Sequence, residues 1–196
     1  MKDELFNFKK NALMGNLCEE WKDLWRKSEK DKADLVRLSL LQQSIPFFAT
    51  YCHNGKGVSR EYLLRNFSDY INGYTIRNAD GVEGYTYGLY VDYDYDTDLV
   101  VDKDVVHIMW TAGASVIVPE TKCPTIYVSN RSDVHLVCEG FNSVRLYLFD
   151  KSRVTIEDCS EESDITALRY SDDCSVVRGK YCLSDKIYEH RKELRL

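Results

Sequence analysis

The sequence predicts an α+β protein in which a helical domain precedes a short parallel β-solenoid. Three observations carry this reading. Apolar residues before residue 73 recur at helical spacing, residues 74–104 turn to tyrosine, glycine and aspartate, and four later segments share one pattern at a nearly constant step. The predicted divisions are a helical domain over 1–73, an acidic Tyr/Asp strand segment over 74–104 capping the solenoid, the solenoid over 105–182, and a capping helix over 183–196.

In the first division Leu17, Trp21, Leu24 and Trp25 fall on one helical face, with Glu19, Glu20, Lys22 and Asp23 between them. Asp31 or Asp34 caps a second helix with Leu35, Val36, Leu38, Leu40 and Leu41 as its apolar set. Pro46 suits the first turn of a short helix through Phe47, Phe48 and Tyr51, and residues 53–57 read as a turn. Ser59 caps a further helix with Tyr62, Leu63 and Phe67 inward. The stripe Trp21, Trp25, Phe47, Phe48, Tyr62 and Phe67 has the spacing of a packed core rather than a ligand pocket. Residues 57–63 look like the start of a DNA-reading helix, but only Arg60 and Arg65 are offered as bases, too few for that role.

The run 91–96 alternates strictly, so a strand would turn Tyr93 and Tyr95 to the core and line up Asp92, Asp94 and Asp96 on the other face. With Asp98, Asp102 and Asp104 these form an acidic edge, the candidate partner-binding surface. Calcium is not expected there. Counting from Asp92, an EF-hand loop needs Gly and Glu where the chain has Thr97 and Lys103.

The repeat begins beyond Val105. Its segments are Ile108, Trp110, Ala114, Val116 and Val118; Ile126, Val128, Ser132, Val134 and Leu136; Leu146, Leu148, Ser152, Val154 and Ile156; and Leu168, Tyr170, Cys174 and Val176. The small residues Ala114, Ser132, Ser152 and Cys174 step by 18, 20 and 22 positions and mark corners between strands. One unit is too short to bury its own apolar side, whereas stacked units share a core. An antiparallel sandwich is the alternative, but its hairpins would favour Asn-Gly or Asp-Gly turns, and none occurs between Val105 and Val177. Solenoid ends need caps, and Ser184 is placed to start a terminal helix using Leu183, Ile187, Tyr188 and Leu194.

Composition narrows function. The 196 residues carry a net charge of −6, with six Asp against one Lys over 92–104 and seven acids against one Arg over 157–173. Glu157, Asp158, Glu161 and Glu162 form a second acidic patch. Direct nucleic-acid binding needs clustered Lys and Arg and is not expected, whereas an acidic surface suits a basic protein partner. No apolar run approaches the ~18 residues of a membrane helix, and the N-terminus lacks a signal-peptide pattern, so a cytoplasmic location is expected. The seven cysteines include no Cys-x-x-Cys pair, which argues for reduced thiols and against zinc. His107 and His135 fall opposite in phase to the apolar set and are expected at the surface. No nucleophile–base pair or phosphate loop is present, so no catalytic residue, metal or cofactor is assigned.

The stretches 6–10 (FNFKK), 17–21 (LCEEW) and 67–73 (FSDYING) resemble uncharacterised small proteins of bacteria and their phages. The resemblance covers about the first ninety residues and implies a phage or mobile-element setting, with no site residues. The leading expectation is a non-enzymatic protein-binding module, for instance an inhibitor that blocks the nucleic-acid groove of a host defence nuclease. A small carbohydrate-active β-helix enzyme and a structural or adhesive phage component are the alternatives, and self-association is left open.

Overall fold

A computed structural model describes residues 9–10, 13–14, 19–27, 32–40, 59–77, 84–93 and 96–192. The short helix expected after Pro46, the turn at 53–57, Asp94 and Tyr95 lie outside the described residues. Three α-helices are described, α1 (Glu19–Lys27), α2 (Lys32–Leu40) and α3 (Arg60–Asn66), with a 3-10 turn at Ser68–Tyr70. Twelve strands follow: β1 (Ile76–Arg77), β2 (Thr86–Val91), β3 (Leu99–Val100), β4 (Val105–Met109), β5 (Ala112–Val118), β6 (Thr125–Ser129), β7 (Asp133–Cys138), β8 (Ser143–Leu148), β9 (Arg153–Cys159), β10 (Asp164–Arg169), β11 (Ser175–Cys182) and β12 (Ile187–Arg191).

The strands wind into a parallel β-solenoid of about five turns. One sheet, here sheet A, runs β1-β2-β4-β6-β8-β10-β12, and sheet B runs β11-β9-β7-β5-β3. Each coil lays one strand in sheet A, turns a corner, lays one in sheet B and returns. Every pairing among the described residues is parallel except β1 with β2. The buried interior stacks Val106, Ile126 and Leu146 in one column, Ile108, Val128 and Leu148 in the next, and Val134, Val154 and Val176 opposite. A coil alone would leave these aliphatic groups in water, and stacking buries them on both sides.

The expected repeat needs two corrections. Val116 pairs with Leu136, not Val134, because the first coil is already offset in sheet A, where Ile108 pairs with Val128 rather than Ile126. A bulge between Ala112 and Ala114 around Gly113 (φ 84°) adds one further shift. The corner equivalent of Ser132 is Thr111, whose amide donates to Ser132 Oγ at 3.1 Å. Leu168 pairs with Tyr147 and so faces outward, while Ile165 and Ala167 fill the interior. Short apolar runs permit either phase, and the neighbouring coil decides between them.

The corner from sheet A to sheet B is built on left-handed residues, namely Asp92 (φ 51°), Trp110 (φ 51°), Asn130 (φ 56°) and Asp150 (φ 60°). Asn and Asp tolerate this backbone better than other non-glycine residues. Buried hydroxyls close the corner, with Ser132 Oγ donating to Ser129 O at 2.6 Å and Ser152 Oγ to Phe149 O at 2.6 Å.

The described helices share a core with the solenoid instead of packing only on one another. Trp25, Leu35, Val36, Leu38, Tyr62, Leu63 and Phe67 share one core with Ile76, Tyr87, Leu89, Val91 and Met109. Leu89 and Val91 point away from the solenoid interior, so the helices pack on the outer face of sheet A. His107 stands on the same outer face but is fully buried, contrary to the expected surface position, with Nε2 2.9 Å from Ser129 Oγ. Burial pushes its pKa down to about 3.

The capping helix predicted over 183–196 is replaced by β12, which pairs with β10 from Ile187 to Arg191. The unpaired edge of β10 supplies backbone partners that outweigh a marginal short helix.

Candidate functional site

The expected acidic edge is divided by the fold. β2 ends at Val91, and Asp92 turns the chain through the first corner instead of continuing an alternating strand. Asp92 is ion-paired with Arg60. Asp96 and Asp98 are exposed in the same corner, ahead of β3. Asp102 and Asp104 lie beyond β3, in the return corner from sheet B to sheet A.

Those two return-corner carboxylates differ. Asp104 accepts from Thr86 N at 2.7 Å and from Thr86 Oγ1 at 2.8 Å, which fastens the start of β2. Asp102 is exposed and accepts from Lys103 Nζ at 2.8 Å, a bond that holds its carboxyl below the usual range. Lys103 is itself buried. Its stem runs beneath Gly88, where an added Cβ would lie 2.5 Å from Lys103 Cδ, and its ammonium reaches Tyr90 OH at 3.1 Å. The apolar stem thus fills the first coil while the charge meets oxygen at its rim.

Successive return turns stack on the Asp102 turn. Thr121 N donates to Phe141 O at 2.7 Å, Glu139 N to Val118 O at 2.9 Å, and Ser160 Oγ to Gly140 O at 2.6 Å. Buried Asn142, Ser163 and Ser184 form the inner lining, with Ser184 Oγ donating to Ser163 O at 2.6 Å. On the outside stand the exposed carboxylates of Asp102, Glu120, Glu139, Glu161, Glu162 and Asp185, against exposed Lys122 and Lys186. Phe141, 55% exposed, lies among them. Glu120 is held close, since a Cβ on Gly140 (φ 77°) would meet its Cγ at 2.7 Å.

The opposite corner, which also holds Asp96 and Asp98, carries ion pairs on its later coils. Lys151 faces Asp173 at 3.9 Å, and Arg191 meets Asp172 at 2.9 Å. Of the second predicted patch, Glu161 and Glu162 belong to the return corner. Glu157 lies on sheet B and meets His135 Nδ1 at 2.8 Å. Asp158 lies in β9 beside Val137 and Tyr181, and its side chain is outside the described set.

The structure therefore joins Asp102, Glu161 and Glu162 on one surface and leaves Asp92, Asp96 and Asp98 on another. Glu120, Glu139 and Asp185 escaped the sequence reading because each is a single acid among neutral or basic neighbours. Their signal is recurrence near the coil step. No group of three or more metal-ligating side chains placed to hold an ion occurs among the described residues, and no described helix is long and apolar enough to cross a membrane. No protein-family model, curated protein or solved structure matches the chain.

Proposed function

We propose that this protein is a non-enzymatic binding module whose acidic return corner docks on a basic protein surface, such as the nucleic-acid groove of a host enzyme. The observation that carries this reading is the stack of exposed carboxylates from Asp102 to Asp185, with the Phe141 ring set among them. A column of like charges on a rigid scaffold raises the local potential and steers a cationic partner. An exposed aromatic ring adds an apolar anchor of the kind that concentrates binding energy. Occupation of a nucleic-acid groove by this corner would make the protein a competitive inhibitor of that enzyme.

The test is capture of host proteins on the immobilised chain, with DNA as competing polyanion. Expected is a captured basic protein that DNA releases and that the triple variant Glu120→Lys, Glu139→Lys, Glu161→Lys fails to retain. Equal capture by the triple variant at physiological salt overturns the return-corner reading.

A further inference from the structure

Three cysteines stand in one column of the solenoid. Cys138 ends β7, Cys159 ends β9 and Cys182 ends β11, and the register pairs Cys138 with Cys159 and Cys159 with Cys182. Cys138 and Cys159 are buried in the shared core, and partly exposed Cys182 packs against it at the last coil. The column begins at Val118, so sulfur replaces an aliphatic group at this level of the core. Isolated buried cysteines serve as small apolar side chains. Three in register have a further property, because neighbouring strands lie about 4.8 Å apart, inside the Cα separation of roughly 4.4–6.8 Å that a disulfide spans.

The three thiols are also unlike one another. Hydrogen bonding led by the Cys138 thiol outweighs burial and brings Cys159 down to about 6. Burial, reinforced by the neighbouring Cys159, pushes Cys182 up. The middle thiol is thus the readily ionised one, and the partly exposed thiol is its neighbour.

We propose that Cys182 and Cys159 form a thiol–disulfide exchange site that takes low-molecular-weight disulfides entering at the last coil, with Cys138 as an inner third thiol. The Cys182 thiolate attacks one sulfur of R–S–S–R, forming a Cys182–S–S–R bond and expelling R–S⁻, which takes up the proton that Cys182 gave up. The Cys159 thiolate then attacks the Cys182 sulfur, forming the Cys159–Cys182 disulfide and expelling the second R–S⁻. Two protein thiols are oxidised while one small disulfide is reduced to two thiols. Attack of the Cys138 thiolate on the Cys159 sulfur moves the disulfide one rung inward and releases Cys182 as thiolate, with no net redox change.

The test uses the full chain carrying Cys123→Ser, which removes an exposed thiol outside the column. The chain is treated with bis(2-hydroxyethyl) disulfide, trapped with N-ethylmaleimide and mapped by peptide mass spectrometry. The expected product is a Cys159–Cys182 linked peptide. With Cys159→Ser or Cys159→Ala added, Cys182 instead accumulates the hydroxyethylthio adduct. With Cys182→Ser added, a substitution at a partly exposed position, loss of the Cys159 thiol slows at least about tenfold. The Cys159 variants count only where circular dichroism matches the parent. If both unfold, the Cys182→Ser arm decides. A Cys182 adduct that persists in the parent, equal Cys159 loss in Cys182→Ser, or an unreacted column overturns the proposal.

Discussion

The two ends of the solenoid solve the same problem differently. At the N-terminal end the outer edge of β2 is closed along its length. β1 pairs antiparallel with residues 86–87, and Asn72 continues the edge, its Nδ2 donating to Val91 O at 3.0 Å and its Oδ1 accepting from Val91 N at 2.8 Å. Lys103 and Tyr90 plug the first coil, and helices cover the outer face of sheet A. At the C-terminal end β11 and β12 are the last described strands. Interior positions there turn polar, with Arg169 meeting Glu189 at 2.7 Å. Val177, Tyr181, Leu183 and Tyr188 are exposed. The first end is closed by backbone pairing and apolar burial, whereas the last described coil carries charged and exposed side chains. Charged side chains discourage strand addition at the second end, and the first contributes more fully buried core.

That contrast is breakable by experiment. The largest effect belongs to Leu89→Ala, which empties a fully buried site beneath the helices and is expected to cost about 2–5 kcal/mol in denaturant unfolding. Leu183→Ala at the other end is expected to stay within about 0.5 kcal/mol. Equal costs would mean that the C-terminal end is covered in solution.

Glycine substitutions sharpen the difference. A Cβ on Gly179 in β11 would lie 2.7 Å from Ile156 O and 2.8 Å from Glu157 Cα, both backbone atoms. Gly179→Ala is expected to cost about 1–3 kcal/mol and to loosen β11, visible as faster amide exchange there. Gly88→Ala at the closed end meets side-chain atoms, Lys103 Cδ at 2.5 Å and Tyr90 Cε2 at 3.0 Å, rather than backbone, so a smaller loss is expected from the same unfolding measurement.

Acid should act mainly at the closed end. The folded pKa of His107, about 3, lies below the unfolded value of about 6.5. Between these values the unfolded chain binds more protons, so the stabilisation is complete above pH 6.5 and is lost as pH falls toward 3. The expected loss is roughly 1.4 kcal/mol per pH unit. His107→Gln should flatten this part of the unfolding-versus-pH curve, and an unchanged slope would place the acid sensitivity elsewhere. A small effect is also expected from the Arg169–Glu189 pair, whose side chains are 26% and 36% exposed. A double-mutant cycle should return less than about 1 kcal/mol, since solvent screens a pair this exposed.

The sequence was legible where the rule is local. Ser59 was expected to start α3, and its side chain accepts from Tyr62 N at 3.2 Å. Ser132 and Ser152 were expected at corners and lie there. Prediction failed where the deciding partner is distant in the chain. Asp92 and Tyr93 looked like a strand, but Val91 already closes β2; Tyr93 still packs against the core as expected, edge-on to Tyr90 at 5.4 Å. Residues 187–191 looked helical because the free edge of β10 is invisible in a local window.

From the sequence alone come the repeat, the small residues at its corners, the aliphatic content of its interior and its excess of carboxylates, because each is set by residue type and spacing along one chain. Only the tertiary structure decided which coil residue lies over which, that the helices share a core with sheet A, and that the acids fall on two corners. The same winding brought Cys138, Cys159 and Cys182 into one column. The reason is geometric: parallel stacking makes neighbours of residues some twenty positions apart, and a bulge such as that at Gly113 resets the count in a way that only the adjoining coil reveals.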